Sequence, residues 1–339
     1  MVALKMTSSY SPAQVAEYLE FIGLDQSFHP SANPVLDLSY LTTLFVHQIT
    51  AVPYENLLIH YSPDHVVKLD PQVLFTKIVT NRRGRGGYCM ENSILFNHML
   101  RALGFDDAYT AGVRIRLRTN GVPAGPYTGF VHVVNVVTLP ADRAAPPSPA
   151  AAPLQRYALD VGFGGDGPTV PMPLVEDLVH HNSIGTQEIR YVRGFVPTQR
   201  FRGEGAARMW IYQYRNAVDK PWNSFYAFSA EFEFMENDFN VVSHFTSQAP
   251  ESPQSKTLLA IRFFRGEGRV PGEVRVTGKV MLVNGEVKRN VTGKTELVKT
   301  CVTEPERVEA LKEYFGIELT PEEIESIRGR VPELKGVAA

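Results

Sequence analysis

The sequence predicts an α+β chain with its helices gathered at the front, and three observations carry that reading. Apolar residues recur at three- and four-residue spacing as far as Leu103. Beyond Gly104 the pattern changes to alternating or continuous valine-rich runs of strand length. Strands and helices do not alternate as βαβ units, which argues against a doubly wound sheet. The 339 residues, 44% hydrophobic and 21% charged, can fill two or three packed units.

Residues 12–28 read as the first helix, with Val15, Tyr18, Leu19 and Ile22 on one face and Pro12 in the first turn. Asp37 caps a second helix carrying Leu41, Leu44, Phe45 and Ile49. Pro53 ends it, because a proline disfavours helix at the preceding Val52. A third covers 70–79, where Pro71 follows a capping Asp70. The fourth runs over 89–103, with Ile94, Leu95, Met99, Ala102 and Leu103 as its apolar stripe and Gly104 as its stop. Strands are expected at 109–117, 129–139 and 156–161, with the Pro/Ala-rich stretch 141–153 as a loose loop inside a hairpin. Further strands are expected at 188–195, 210–214, 227–234, 256–264, 273–283 and 295–302, and Asn284-Gly285 reads as a two-residue hairpin turn. Helices at 304–315 and 321–328 close the chain.

Composition excludes several function classes. Lys+Arg 34 against Asp+Glu 36 leaves a net charge of -2, so no global basic field is available for nucleic acid or an anionic membrane. The opening MVALKMTSSYSPAQ lacks the apolar run of a secretory signal, and no stretch nears the roughly 18 apolar residues of a membrane span. Two cysteines exclude a disulfide framework and a CxxC zinc site, so the expected compartment is the reducing cytoplasm. Gly162 to Gly167 satisfies GxGxxG, but Pro168, Pro171 and Pro173 forbid the helix that a dinucleotide needs. Gly293-Lys294-Thr295 ends like a phosphate loop, yet Lys288 stands where its first glycine belongs. No metal is expected: His60, Asp64 and His65 read as solvated surface, and Cys301 as a small buried hydrophobe.

One motif carries chemistry. Residues 84–92, GRGGYCMEN, place Cys89 after two glycines at the start of a helix. Helical N–H groups and the positive end of the dipole then point at its sulfur, an arrangement that favours a thiolate. His132 lies in the valine-rich strand GFVHVVNVV, and Asp160 at the end of YALDVGFGG, where an otherwise apolar strand leaves a carboxylate needing a partner. Nucleophile, base and orienting carboxylate are the three groups of covalent acyl transfer. Hydrolytic cysteine enzymes use the same three, and dependence on an amine and on coenzyme A separates the two readings.

These motifs resemble the arylamine N-acetyltransferases, which move an acyl group from coenzyme A through a cysteine thioester onto an aromatic amine or hydrazine. The matching residues are Arg85-Gly86-Gly87-Tyr88-Cys89 with Glu91-Asn92, His132-Val133 with Val136-Val137, and Asp160 to Gly164. Val52-Pro53-Tyr54-Glu55-Asn56-Leu57 resembles the family segment V-P-F-E-N-L. The resemblance implies a helical bundle (1–105), a central β-barrel (106–230) and an α/β lid (231–339), with a cysteine-protease-like triad of Cys89, His132 and Asp160. It implies acetyl-coenzyme A or another acyl-coenzyme A as cosubstrate, with no permanently bound cofactor, and a small aromatic amine as partner. Tyr54 and Phe163 would line the acceptor pocket, and Thr128 and Gly129 would approach the thioester. Thr246 and Ser247 would meet coenzyme A in a Ser/Thr/Pro-rich loop over 240–256. Gly165-Asp166-Gly167 after the D-x-G-F-G motif suggests a wide pocket. Arg114, Arg116 and Arg118 read as a solvated face, with Arg114 the candidate to greet a malonyl carboxylate in place of a neutral acetyl or propionyl group. Glu55 and Arg85 are expected to pair and brace the cysteine loop.

Overall fold

The computed structural model describes residues 8–119, 121–140, 154–268, 273–291 and 293–336, and the Pro/Ala-rich loop read at 141–153 lies outside them. At the front, α1 (Pro12–Phe21) starts with a reciprocal cap between Ser11 and Gln14. It ends well short of residue 28, because Gly23 turns to φ +79° and a separate 3₁₀ turn, Gln26–Phe28, follows with its own Asp25 cap. Then α2 (Leu38–Ala51) begins where the Asp37 carboxylate accepts the Tyr40 N–H. A short strand β1 (Tyr54–Glu55) and helix α3 (Leu57–Tyr61) follow, neither foreseen in the sequence pattern. Next, α4 (Pro71–Phe75) is capped by Asp70 and widens into a π turn over Thr76–Thr80. Finally α5 (Cys89–Leu103) stops at Gly104, whose φ is +106°. Tyr18, Leu19, Leu44, Phe45, Phe96 and Leu100 are fully buried where these helices meet.

The middle of the chain forms β2 (Tyr109–Thr119), β3 (Val122–Pro140), β4 (Leu154–Leu159), β5 (Met172–Pro173), β6 (His180–His181), β7 (Glu188–Gly194), β8 (Met209–Arg215) and β9 (Asn223–Phe228). They make one antiparallel sheet in the order β5-β4-β3-β2-β9-β8-β7-β6. The sheet curls into a half-barrel. After β5 the chain crosses to the far edge, where Glu176 bridges Tyr191 and the Asp177 N–H reaches the Tyr191 carbonyl at 2.8 Å. The strand expected at 227–234 is displaced toward the N-terminus, because the Ser229 hydroxyl holds Glu231 in a local turn that ends it.

The C-terminal part holds α6 (Glu236–Gln248), α7 (Pro253–Lys256), β10 (Leu259–Glu267), β11 (Val274–Val283), β12 (Glu286–Asn290), β13 (Thr295–Thr300), α8 (Glu304–Ala310) and α9 (Pro321–Glu325). The loop expected over 240–256 is therefore mostly helix. Its inward face is unusually polar, with Ser243, Thr246 and Ser247 buried beside Phe239, so the apolar stripe that announces a helix is missing. Asn284 takes φ +52° in the expected turn between β11 and β12. Cys301 is buried in the core beneath this sheet with Leu311 and Phe315.

One feature ties the parts together. The C-terminal sheet runs β1-β10-β11-β12-β13, so its edge strand comes from the N-terminal bundle. Tyr54 pairs with Ile261 and Glu55 with Ala260 on one side. On the other, Tyr54 bridges Gly87, and the Glu55 N–H donates to the Gly87 carbonyl at 3.0 Å. The turn that leads into Cys89 is thereby fastened to the C-terminal sheet. Among the described residues no helix is long and apolar enough to cross a membrane.

Candidate active site

Cys89 is the first residue of α5, and the helix is set there by the Glu91 carboxylate, which accepts the Tyr88 N–H at 3.1 Å. Gly86 permits the approach: a Cβ at that position would lie 1.8 Å from the Pro53 carbonyl oxygen. The thiol is nearly enclosed, with Cys89 5% exposed and its Sγ 3.8 Å from the Val131 carbonyl.

The β3–β4 register brings the other two groups to it. Asn135 faces Leu159. One further step sets Asp160 beside Val134, the same-face neighbour of His132 on β3. Asp160 Oδ2 lies 2.9 Å from His132 Nε2, which leaves Nδ1 for the Cys89 sulfur, also within hydrogen-bonding reach of the ring. The second carboxylate oxygen accepts the Gly162 N–H at 3.2 Å, so Asp160 is itself held. His132 and Asp160 are each 3% exposed. Burial disfavours a charged imidazole, but the Asp160 charge and the hydrogen bonds to Asp160 and Cys89 outweigh it, and the His132 pKa is pushed up to about 10. The ring therefore carries its proton at neutral pH. A sulfur, a protonated imidazole and a carboxylate in series suit nucleophilic acyl transfer.

Around this line, the Phe163 ring stands edge-on to His132, with centroids 5.1 Å apart, and packs on Phe225 and Tyr226. Tyr54 lies in the same apolar cluster as Cys89 and accepts a hydrogen bond from Gln254 Nε2 at 2.8 Å. Burial and the neighbouring Cys89 hold its phenol well above the usual range. Glu55 Oε1 meets Arg85 Nε at 2.9 Å, forming the expected pair under the cysteine turn. Burial works against the Glu55 charge, yet Arg85 and Lys77 dominate and hold its carboxyl down to about 2.

The remaining residues singled out in the sequence fall in two places. Thr128 is locked into the sheet, its hydroxyl exchanging hydrogen bonds with the Ile115 N–H and carbonyl, while a Cβ at Gly129 would meet nothing within 4 Å. Arg114 donates to the Thr128 carbonyl at 3.1 Å and lies 4.0 Å over the Phe130 ring. Both line a cavity of about 500 Å³ with Phe130 and Phe232. The three arginines are only in part the solvated face expected: Arg118 is exposed, while Arg114 and Arg116 are half-buried. Arg116 rests on Tyr127 and Arg118 on Phe225, because guanidinium planes find aromatic faces on this curled sheet. Thr246 and Ser247 lie buried on α6, their hydroxyls donating to the Val242 and Ser243 carbonyls of the same helix. Two members of the apolar cluster around Cys89 carried no sequence signal: Phe130, which packs edge-on at 4.8 Å against Phe234, and Phe234 itself. Both resemble ordinary core aromatics.

A family model described as N-acetyltransferase matches residues 37–324, and human arylamine N-acetyltransferase 1 is 32% identical over 151 residues, 44% of this chain and 43% of its own length. The chain belongs to the arylamine N-acetyltransferase family. As an arylamine N-acetyltransferase family member it is an acyltransferase. It is similar along nearly its whole length to the N-malonyltransferase FDB2 of Gibberella moniliformis, 32% identical over 339 residues that cover 94% of this chain and 92% of that one. The arylamine N-acetyltransferase of Mycobacterium abscessus shares its fold with a TM-score of 0.70 at 24% identity, covering 97% of this chain and 99% of that one. The Mycobacterium marinum enzyme in complex with coenzyme A does so at 0.67 and 24%, covering 94% and 99%.

Proposed function

We propose that this family member carries an acyl group on the Cys89 sulfur between coenzyme A and an aromatic amine or hydrazine, in two successive displacements. The observation that carries the reading is the buried His132–Asp160 pair, 2.9 Å between Nε2 and Oδ2, with the Cys89 sulfur on the imidazole's other side. In the first half, the Cys89 thiolate attacks the thioester carbonyl, the bond to the coenzyme A sulfur breaks, and His132 gives its proton to the leaving thiolate. In the second, the amine nitrogen attacks the enzyme thioester, His132 takes the amine proton, and the Cys89 thiolate leaves. Asp160 holds the imidazole through both halves. Tyr54 and Phe163 flank the reacting sulfur and imidazole and supply aromatic surface for the acceptor ring. Thr128 lines the 500 Å³ cavity with Arg114, and the pantetheine arm would approach along this side of the half-barrel past Gly129.

The favoured acyl group is malonyl. Arg114 is half-buried in the 500 Å³ cavity and makes no ion pair among the described residues, so a free carboxylate is the partner it lacks. The likeness to a malonyltransferase over nearly the whole chain points the same way. Intact mass spectrometry with malonyl-coenzyme A and no amine tests both halves of the proposal. Wild-type protein should gain one malonyl group at Cys89 and Cys89→Ala none; amine added afterwards should discharge it. Hydrolysis at the same rate without amine would make the protein a hydrolase instead. Arg114→Met should lower kcat/KM for malonyl-coenzyme A about tenfold more than for acetyl-coenzyme A. Equal losses would remove Arg114 from donor selection.

A further inference from the structure

A second hollow, of about 400 Å³, opens between the half-barrel and the C-terminal sheet. Its inner wall is Gly165 and Met281, and a Cβ at Gly165 would stand 3.1 Å from Met281 Sδ. Met281 packs against the apolar cluster that contains Cys89 and Tyr54, so the hollow adjoins the shell around the proposed reaction centre. Arg118 reaches it from β2 and Lys279 from β11, and Asp166 stands between them. Lys279 Nζ donates to the Gly165 carbonyl and lies 3.3 Å from Asp166 Oδ1, while an Arg118 Nη2 hydrogen bonds to Asp166 Oδ2. Asp166 is the one acid among the lining residues, and its other polar neighbours, such as Thr186, Gln187 and Asn216, are uncharged. Burial opposes the Asp166 charge, but Lys279 and Arg118 prevail and lower its pKa, so it stays ionised. Two cations then share one carboxylate. The Lys279 side chain is only 10% exposed, and an ammonium has three donors of which two are used here. One positive charge in a sheltered hollow is left for an incoming anion.

We propose that this hollow is an anion-accepting subsite for one of the two substrates. The anion is either a carboxylate on the aromatic amine or a phosphate of coenzyme A, bound between Lys279 and Arg118. Arg118 also ties the hollow to the acceptor surface, since it lies 4.8 Å over the Phe225 ring that packs on Phe163. The inference rests on the acyl-transfer reading for its substrates, but its test need not use turnover.

Binding to Cys89→Ala protein by calorimetry, with and without a second substitution, reads the subsite directly. Arg118→Gln and Lys279→Gln should each weaken 4-aminobenzoate about tenfold more than neutral 4-methoxyaniline if the anion is the amine's carboxylate. They should instead weaken coenzyme A about tenfold more than pantetheine if it is a phosphate. Either selective loss supports the subsite. Losses below twofold for every probe, or equal for charged and neutral probes in both variants, overturn it. Failure of the acyl-transfer reading would show separately, as the absence of an acyl group on Cys89 in the wild-type protein.

Discussion

Gly162 lies so close to Cys89 that a Cβ on it would stand 2.7 Å from the Cys89 Cα and 2.8 Å from its carbonyl oxygen. The loop that carries Asp160 is thus pressed against the first turn of α5, and the spacing of the sulfur and imidazole depends on a missing side chain. Gly162→Ala must push these backbones apart. We expect destabilisation of about 1–3 kcal/mol, the usual range for overpacking, and a larger proportional loss in kcat than in stability. Thermal unfolding and steady-state rates on the same sample check it. Wild-type kcat in a folded variant would show that the contact does not set the site.

The His132 proton depends on Asp160. With a folded-state pKa of about 10 against an ordinary 6.5, the imidazolium contributes stability in full below pH 6.5, and that contribution is lost as pH rises through 10. Asp160→Asn removes the main raising influence and leaves burial, which lowers the pKa, opposed only by the smaller effect of Cys89. The imidazole should then be neutral at pH 7, and kcat/KM should fall by about 10²–10⁴. NMR titration of His132 provides the check, and a ring still protonated at pH 8 in the variant would contradict the argument.

Much of the helical bundle was legible in the sequence. The stripe through Ile94, Leu95 and Met99 with its Gly104 stop located α5, and the capping Asp37 located α2. The pairing of His132 with Asp160 was expected from their residue types and the family resemblance, not from their separation of 28 residues; its geometry comes from the β3–β4 register, which the sequence pattern leaves free to slip. Strand β1 was missed because two residues have no periodicity and their partner, β10, is distant in the chain. Helix α6 was missed because its buried face is lined by Ser243, Thr246 and Ser247, residues of modest helix propensity. Of the outward arginines, Arg114 and Arg116 were misjudged because a strand pattern shows alternation but not the aromatic rings beneath it.

Glu55 braces the cysteine turn from below, and its charge has a pH signature. Its folded-state pKa of about 2 lies beneath the ordinary 4.5, so it contributes stability above pH 4.5 that is lost as pH falls toward 2. Glu55→Gln leaves Arg85 buried with its fully buried partner gone. A cost of about 3–5 kcal/mol is expected, with the acid-unfolding transition flattened between pH 4.5 and 2. Denaturant titration across that range decides it, and an unchanged midpoint at pH 7 would deny the pair its bracing role.

The same turn is held from the opposite side by α9. Glu323 accepts from Arg83 Nη1 at 2.6 Å and from Arg85 Nη1 at 2.9 Å, and the Glu318 N–H donates to the Arg83 carbonyl at 3.0 Å. Arg85 therefore spans two carboxylates, one from the bundle and one from the C-terminal region. Glu323 is partly exposed, so solvent can replace some of what its removal takes away, and Glu323→Gln should cost about 1–2 kcal/mol, less than Glu55→Gln. Because both carboxylates act through one guanidinium, the double variant should depart from the sum of the single ones by more than about 0.5 kcal/mol. A double-mutant cycle in urea measures that coupling. Strict additivity would mean that Glu55 and Glu323 stabilise separate parts of the fold and that α9 does not reach the cysteine turn through Arg85.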